Sequence, residues 1–285
     1  ITDDAPRAAA DTDSVAAGTY GPATGNVITD TENDGGADVQ GADGATVSAV
    51  AGAGGTAAPG VPIAGLYGVL TLNGDGSYSY IRNPGTPGGV VDTFTYTLRD
   101  GDGDISSATL TVSIRDSGVT LVVPSGAGDG QQVSEAGLPT GSDPGSGSAT
   151  NNGSFTFTAA DGPARVTIGG VEVIAVGQTF AGSYGTLTIT SIHAGKIGYS
   201  YQLTVSAQGD AASDQFAIRV TDADGDGVNG SLKIDIIDDV PIAFDDVDLV
   251  DADEAGLFAD GNVLTGAGGS DANASDGAAD VQGAD

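Results

Sequence analysis

The sequence predicts an all-β protein built from tandem antiparallel β-sandwiches. Three observations support this fold class: segments in which apolar and polar residues alternate, turn-forming residues between those segments, and a long internal repeat. No segment has a convincing 3.6-residue apolar period, which an amphipathic helix would require. About seven short strands in roughly 115 residues are typical of a sandwich with Greek-key connections.

Alternating apolar residues identify the strongest strand candidates. Phe94, Tyr96 and Leu98 lie on one face of residues 92–100, between polar neighbours. This two-residue period, with its Thr, Val, Ile, Tyr and Phe content, predicts half-buried β-strands. The same period recurs at 108–116, 213–222 and 230–238. Shorter strand candidates lie at 45–50, 69–72, 77–81, 154–159, 164–168, 171–176, 186–190 and 197–205.

Gly, Asp, Asn and Pro separate the strand candidates. The segments "NGDG" at 73–76, "NPGTPGG" at 83–89, "DG" at 161–162 and "GG" at 169–170 have the composition of tight turns. Short strands joined by such turns indicate antiparallel sheets.

An internal repeat divides the chain. "AGLYGVLTL" at 64–72 recurs as "AGSYGTLTI" at 181–189, and residues 91–116 align without gaps to residues 213–238. Repeats of this length must be identified first because they determine the architecture. The alignment predicts two homologous units that follow one another along the chain.

A second repeat has about twice that period. "ADVQGAD" at 37–43 recurs letter for letter at 279–285, and "DDAP" near the start matches "DDVP" at 238–241. We therefore expect a third unit that is present only as its beginning. The predicted domains are repeat 1 at 1–116, repeat 2 at 117–237 and the truncated start of a third repeat at 238–285.

The charge of the chain restricts its partners. It has 8 basic and 39 acidic residues, a formal net charge of −31, and no Cys. A nucleic-acid binder needs basic residues to displace counterions from phosphates, and an anionic membrane surface also attracts cations. No apolar run approaches the ~20 residues of a membrane helix. We expect no nucleic acid, no membrane insertion and no thiol chemistry.

Two runs of alternating Asp residues are the strongest candidate metal ligands. Each run precedes the last strand of its unit, where a short Gly-containing loop can bring carboxylates together. Ca²⁺ takes about six to eight oxygen ligands. An EF-hand is excluded because the flanks read as strands, and Thr111 or Lys233 stands where its twelfth ligand, Glu, is required. The runs are Asp100, Asp102 and Asp104 in "DGDGD", and Asp222, Asp224 and Asp226 in "DADGDG".

Further Asp residues lie where consecutive units join. They are Asp3, Asp4, Asp116, Asp238 and Asp239. In a seven-strand sandwich, the loop before the last strand lies at the end where the first strand enters. We therefore expect Ca²⁺ to join Asp3 and Asp4 to the first run and Asp116 to the second run, which would make the joint rigid. Asp238 and Asp239 should lack loop partners, because the third unit stops before them.

Other acidic residues keep two interpretations. Asp75 in "NGDG" is expected to be a turn residue. Salt adaptation would spread acidic residues over exposed strand faces, whereas all but four of these acids are Asp and they cluster at loops and junctions. A Ca²⁺ loop and a solvated loop remain equally open for Asp30, Glu32, Asp34, Asp38 and Asp43.

Several blocks occur in the order found in a known group of repeats. "GNVITDTENDGGAD", "GVLTLNGDGSYSY" and "DTFTYTLRDGDGD" resemble the VCBS and cadherin-like repeats of giant bacterial adhesins of the biofilm-associated type. "VSEAGLPTGS" with "GSFTFTAADG" resembles a related repeat of type I-secreted surface proteins. In the third unit, "TGAGGSDANASDG" departs from the acidic loop "TDTENDGG" of the first.

This resemblance implies a set of properties. They are Ig/cadherin-like sandwiches in an elongated array, Ca²⁺ at the interdomain linkers, export by a type I system, location on the bacterial cell surface, and roles in adhesion and biofilm formation. The D-x-D-x-D runs and the D-D-x-P linkers carry over as the Ca²⁺ ligands.

The expected function is structural. The single histidine, His193, lies between two strand candidates, and no G-x-S-x-G or phosphate loop is present, so we expect no enzyme. We expect a Ca²⁺-stiffened extender that projects a distal binding domain, with neighbouring repeats as its partners and surface contact made by other domains. The alternative is an adhesive module that itself binds glycan or a partner cell, for which the loop aromatics Tyr20, Phe244 and Phe258 are the candidates.

Overall fold

The chain folds almost entirely into β-strands. The computed structural model describes residues 4–30, 35–126, 131–209, 211–247, 261–268 and 279–284. In these residues it has no α-helix and one 3-10 turn at Glu135–Gly137. The predicted all-β fold class is confirmed.

The strands of the first repeat are β1 (Asp11–Val15), β2 (Ala23–Asn26), β3 (Ala45–Gly52), β4 (Gly55–Ala57), β5 (Ile63–Ala64), β6 (Gly68–Leu72), β7 (Ser77–Arg82), β8 (Val90–Asp100) and β9 (Ile105–Ile114). They form a five-stranded sheet, β1-β9-β8-β3-β4, and a four-stranded sheet, β2-β7-β6-β5. Buried side chains from both sheets form one hydrophobic core, so the two sheets pack face to face as a sandwich.

The long hairpin β8–β9 has the alternation of buried and exposed residues that the sequence pattern predicts. Phe94, Tyr96 and Leu98 are each no more than 1% exposed, while the residues between them face away from the core. The Phe94 ring meets Tyr80 of β7 edge to face, with ring centroids 6.1 Å apart. This contact joins the two sheets of the sandwich.

The later strands are β10 (Thr120–Val122), β11 (Gln132–Ser134), β12 (Thr150–Thr158), β13 (Arg165–Ile168), β14 (Val171–Glu172), β15 (Thr179–Ala181), β16 (Gly185–His193), β17 (Lys196–Leu203), β18 (Ser213–Thr221), β19 (Gly227–Ile237), β20 (Gly261–Asn262) and β21 (Ala267–Gly268). They form the sheets β10-β12-β17-β16-β15 and β11-β19-β18-β13-β14, and the small pair β20-β21. Tyr201 and Phe216 repeat the edge-to-face contact at 6.1 Å. The predicted strand at 171–176 is shorter, because pairing stops at Glu172.

Each sandwich contains parallel pairing at one sheet edge as well as antiparallel pairs. β1 runs parallel to β9, with Asp11 opposite Leu110, and β11 runs parallel to β19, with Gln132 opposite Asp235. In each case a short entering strand lies at the sheet edge beside the last strand of its repeat. The hairpin pairs, such as β8–β9 and β16–β17, are antiparallel as expected.

The chain divides into two compact units. The first contains Ile1–Thr120, Thr158–Arg165 and Val220–Val228, and the second contains Leu121–Phe157, Val166–Arg219 and Asn229–Asp285. The loop between β12 and β13 and the loop between β18 and β19 therefore belong with the first unit. The repeat boundaries at 116/117 and 237/238 remain a prediction from the sequence.

The third segment repeats local structure of the first unit. An antiparallel bridge joins Arg7 to Val39, and an equivalent bridge joins Ile242 to Val281. The members of each pair occupy matching positions of the longer repeat. The sequence repeat therefore corresponds to a repeat of backbone pairing in the described part of 238–285.

Candidate metal centres

The Asp run in the β8–β9 loop folds as a compact turn. The Asp100 N–H donates to the Asp104 carbonyl at 3.1 Å. The Asp100 Oδ1 accepts the N–H groups of Gly103 and Asp104 at 2.9 and 2.7 Å. One carboxylate oxygen thus shapes the loop, which is the usual role of Asp in turns.

The other side of this loop forms a first acidic cluster. Ligand oxygens of Asp43, Asp100 and Asp102 lie within 4.8 Å of one another. Asp100 is 8% exposed, and its Oδ2 is buried without a hydrogen-bond partner. A buried carboxylate oxygen without a donor is costly unless a cation or proton satisfies it. This cluster has the oxygen donors that Ca²⁺ prefers.

The local electrostatics keep Asp100 ionised. Burial acts to raise the pKa of its carboxyl, but the N–H groups of Gly103, Asp104 and Asp102, together with the Asp102 side chain, outweigh burial and lower the pKa below its usual value. A ligand must be deprotonated to bind a metal ion. The turn therefore prepares this carboxylate for a cation.

The other predicted ligands of the first unit are Asp3, Asp4 and Asp104, and each has a different outcome. Asp4 approaches the 41–43 loop through its backbone, since a Cβ on Gly41 would lie only 2.5 Å from the Asp4 carbonyl oxygen. Asp3 lies outside the described residues. Asp104 contributes its N–H to the turn, and its carboxylate is outside the three-residue cluster.

The Asp run in the β18–β19 loop forms the same turn. The Asp222 N–H donates to the Asp226 carbonyl at 3.0 Å, as Asp100 does to Asp104. The Asp226 N–H donates to Asp224 Oδ1 at 3.3 Å. The repeated sequence has therefore produced the same loop twice.

A second acidic cluster forms around this loop. Ligand oxygens of Asp116, Asp161 and Asp224 lie within 4.8 Å of one another. All three residues belong to the first compact unit. Asp161 is completely buried, whereas Asp116 and Asp224 are exposed. This cluster brings together two predicted ligands, Asp116 and Asp224, and one residue that the sequence pattern did not single out.

Asp222 lies beside this cluster in an unfavourable environment. It is 7% exposed, and neither buried carboxylate oxygen makes a hydrogen bond of good geometry, although the Gly225 N–H lies near enough to oppose the rise in its pKa. Burial, followed by the neighbouring Asp224, raises the pKa of Asp222 to about 6. Burial and the charges of Asp226 and Asp224 also raise the pKa of Asp116. The cluster therefore concentrates negative charge that has too few donors within the described part of the chain.

The fully buried Asp161 is held by two donors. Arg82 Nη1 lies 2.8 Å from its Oδ1, and the Ser117 N–H donates to its Oδ2. Gly88 allows this close approach, because a Cβ there would lie 2.5 Å from Asp161 Oδ2. The Gly88 N–H also donates to Asp224 Oδ2 at 3.2 Å. The "NPGTPGG" turn is thus part of the site.

The two clusters take their additional ligand from equivalent loops. Asp43 lies in the loop before β3, and Asp161 lies in the loop before β13. Both are in the tripeptide "ADG", at 42–44 and 160–162. Asp43 was already one of the open candidates, and the shared tripeptide ahead of equivalent strands is the signal that would have pointed to Asp161 as well.

The last two predicted ligands lie apart from both clusters. Asp239 is 6% exposed, and it accepts hydrogen bonds from the N–H and the hydroxyl of Ser142. Asp238 is half-buried. Neither belongs to a three-carboxylate group among the residues that the structure describes.

Other buried Asp residues have structural partners. Asp92 accepts the Tyr80 hydroxyl at 2.6 Å and the Leu66 N–H at 2.7 Å. In the second repeat, Asp214 accepts the Tyr201 hydroxyl at 2.6 Å, along with backbone N–H groups. These residues are at most 2% exposed and their oxygens have donors. They stabilise the fold and are not available to a metal.

Asp11 and Asp38 form a third group of buried carboxylates, and their burial bears on the two interpretations of Asp38. Asp11 and Asp38 are 2% and 8% exposed, and the Tyr96 hydroxyl lies about 3 Å from both carboxylates. The Ala9 N–H donates to Asp38 at 2.6 Å. Burial raises the pKa of Asp38, although the Ala9 N–H and the Tyr96 hydroxyl oppose this effect. Asp38 is therefore not a solvated loop residue, while Glu32 and Asp34 lie outside the described residues.

The chemistry of both clusters is that of a hard cation site. Their ligands are carboxylates, and neither cluster contains histidine. Such donors suit Ca²⁺ or Mg²⁺ rather than zinc or copper. His193 is exposed at the end of β16. No helix in the described part of the chain is long and apolar enough to cross a membrane.

Comparison with protein families gives a match in the first part of the chain. Residues 3–116 match the model of the bacterial cadherin-like domain. Over these residues, which are less than half of the chain, the sequence is similar to that of an adhesion-type repeat. Comparison with curated proteins gives no match.

Comparison with solved structures gives distant similarities. Mouse clustered PcdhgC3 EC1-3 is 13% identical, with a TM-score of 0.30. The aligned region includes 83% of this chain and 67% of that one, and coverages below are given in the same order. Human CDH23 EC21-23 is 13% identical, with a TM-score of 0.28 and coverage of 85% and 70%. An endo-fucoidan hydrolase of glycoside hydrolase family 107 is 14% identical, with a TM-score of 0.25 and coverage of 83% and 34%. Similarity at this level carries no argument about function.

Proposed function

We propose that this chain is a Ca²⁺-stiffened extender of a bacterial cell-surface adhesin. Its repeats would project a distal binding domain for surface attachment and biofilm formation. The similarity of residues 3–116 to bacterial cadherin-like domains supports an adhesion-type repeat. The more specific parts of the proposal, which are export by a type I system and neighbouring repeats as partners, rest on the sequence resemblance.

The observation that carries the proposal is the environment of Asp222. Its two buried oxygens make no hydrogen bond of good geometry beside the cluster of Asp116, Asp161 and Asp224, and the Gly225 N–H does not offset their burial. The fold therefore buries a charge that a divalent cation would satisfy. These residues fit Ca²⁺, and they would hold it; the ion, when bound, supplies positive charge and several coordination positions.

Stiffening follows from where these ligands lie in the chain. Asp116 follows the last strand of the first repeat, while Asp161 and Asp224 lie in loops that connect later strands. Residues that share one ion cannot move independently. The Asp43, Asp100 and Asp102 cluster would act in the same way on the loop before β3 and the β8–β9 loop. The proposed role therefore needs no catalytic group.

Calcium binding at extracellular concentrations would be thermodynamically useful. Surface modules bind Ca²⁺ with dissociation constants of roughly 10⁻⁴–10⁻³ M. At tenfold excess over the dissociation constant, one site stabilises the folded state by about 1.4 kcal/mol. The stabilisation from two such sites would be a substantial fraction of the free energy of unfolding of a small domain.

Small-angle scattering and thermal melting in Ca²⁺ and in EDTA test this proposal. We expect Ca²⁺ to raise the melting temperature and to narrow the distribution of interatomic distances. Isothermal titration should show Ca²⁺ binding at two sites, of which the Asp224→Asn variant loses one. The Asp75→Asn variant is the matched control, because Asp75 lies in an exposed turn where it binds Ser77. An unchanged maximum dimension and melting temperature would exclude the stiffening role.

A further inference from the structure

A buried arginine lies beside the second acidic cluster. Arg82, in β7, is 1% exposed. The second repeat has Leu203 at the matching position, in "YSYQL" against "YSYIR", and Leu203 is also 1% exposed. The same position of the same fold therefore accepts an apolar side chain. A cation at this position needs an explanation other than the packing of the sandwich.

The guanidinium group is fixed by its contacts. Its Nη1 pairs with Asp161 Oδ1 at 2.8 Å, its Nε donates to Thr86 Oγ1 at 3.0 Å, and its Nη2 donates to the Thr86 carbonyl. Burying an ion pair costs desolvation of both groups, and several hydrogen bonds are needed to offset it. The planar guanidinium supplies these bonds in fixed directions. Arg82 is thus rigidly held, and it holds Asp161 in turn.

This position gives Arg82 two opposite effects on a cation site. It supplies positive charge that keeps Asp161 beside Asp116 and Asp224 when no metal is bound. The same charge repels a dication that binds to those carboxylates. Asp222, which is only 7% exposed and makes no hydrogen bond of good geometry through its carboxylate, still leaves unsatisfied negative charge for the ion.

We propose that Arg82 is a positioning residue that keeps the second calcium site assembled without metal and, at the same time, weakens its affinity for calcium. This inference rests on the proposed calcium-binding function. A site that is assembled in advance and weakened by a resident cation would exchange its ion reversibly at millimolar Ca²⁺.

The Arg82→Leu variant tests the inference, because it introduces the residue of the second repeat. In EDTA we expect a lower melting temperature than wild type, since Asp161 loses its ion pair. In calorimetric titrations we expect Ca²⁺ to bind the second site about tenfold more tightly, because one unit charge close to a dication is removed. A purely structural arginine would give the opposite sign, a weaker site in the variant.

Two further variants separate the causes. Arg115→Leu removes the same charge from an exposed residue next to Asp116, and solvent screening should keep its Ca²⁺ affinity within about twofold of wild type. Arg82→Lys keeps the charge but loses the guanidinium geometry. We expect it to melt at a lower temperature in EDTA, with a Ca²⁺ affinity within about twofold of wild type. It also provides the measurement if Arg82→Leu does not fold without calcium.

The outcomes distinguish the two proposals. If wild type binds no Ca²⁺, the proposed function fails. If wild type binds Ca²⁺ but Arg82→Leu binds it equally or more weakly, the role of Arg82 is overturned and the proposed function stands. If Arg82→Lys loses more than about tenfold in affinity, Arg82 acts through its geometry alone, and the electrostatic inference is likewise overturned.

Discussion

Replacing Asp222 with Asn should have opposite effects with and without calcium. Asp222 is almost fully buried, and neither carboxylate oxygen makes a hydrogen bond of good geometry. In EDTA the substitution Asp222→Asn would remove a buried charge, so we expect the variant to be more stable than wild type. In Ca²⁺ we expect the order to reverse, because the ion loses a charged ligand.

The size of the metal-free effect follows from the shifted pKa. Burial and Asp224 raise the pKa of Asp222 from 3.8 to about 6. A shift of about 2 units at about 1.36 kcal/mol each corresponds to a penalty of about 3 kcal/mol for the ionised form. The buried amide keeps part of this cost, so a net gain of about 1–3 kcal/mol is expected.

The pH dependence has a definite sign. The pKa of Asp222 is higher in the folded state than in the unfolded chain. Ionised Asp222 therefore lowers stability fully above pH about 6, and this penalty disappears as the pH falls below about 4. The advantage of the Asn variant in EDTA should be greatest near pH 7.5 and absent at pH about 4.

Urea unfolding at pH 7.5 in EDTA and in 5 mM Ca²⁺ measures both effects. With a dissociation constant of roughly 10⁻⁴ M, Ca²⁺ stabilises wild type by about 2.3 kcal/mol, and a tenfold weaker site gains about 1.1 kcal/mol. Asp75→Asn should respond to Ca²⁺ as wild type does. If Asp222→Asn is less stable than wild type in EDTA and retains the full Ca²⁺ response, Asp222 is a structural residue and the reasoning is wrong.

Four further substitutions test three separate parts of the structure. Asp43→Asn should reduce the Ca²⁺ stoichiometry by one in calorimetric titration; an unchanged stoichiometry would remove Asp43 from the first site. Gly88→Ala should abolish binding at the second site, because its Cβ would lie 2.5 Å from Asp161 Oδ2, and normal binding would contradict the described approach. Tyr80→Phe and Tyr201→Phe should each cost about 1.5–3 kcal/mol in urea unfolding, the value of a hydrogen bond to a charged group, with an unchanged Ca²⁺ response. A changed response would link these core pairs to the metal sites.

Alternation in the sequence predicted the long strands but not the short edge strands. β8 and β9 could be identified because buried and exposed residues alternate along most of their length. β1 was not predicted, because "DTDSV" has three polar residues in the middle of a five-residue strand. β2 was not predicted, because "ATGN" contains glycine and no large apolar residue. β1 forms by pairing with β9, and β2 forms by pairing with β7. The local sequence propensity of these segments would not be enough to form strands.

The sequence singled out most of the clustered loop carboxylates but not all of their neighbours, and their role as metal ligands stays a prediction. Asp100, Asp102, Asp116 and Asp224 belong to the two clusters, as their spacing suggested. Asp161 was treated only as a turn residue, because a single "DG" carries no metal signal. Its role depends on contacts with residues far away in the chain, such as Arg82. Such distant pairing has no local pattern in a single sequence.

Hydrogen-bond donors distinguish the structural Asp residues of this fold from the proposed metal ligands. Asp92 and Asp214 are as buried as Asp222, yet each accepts a tyrosine hydroxyl and backbone N–H groups. Asp222 has no tyrosine donor, and the nearby Gly225 N–H does not offset its burial, so its pKa stays raised. Burial alone therefore does not identify a ligand, because a satisfied carboxylate already has its charge dispersed by donors. The carboxylate whose burial is not offset by donors is the one whose stability should depend on calcium, which is why Asp222 is the decisive residue to change.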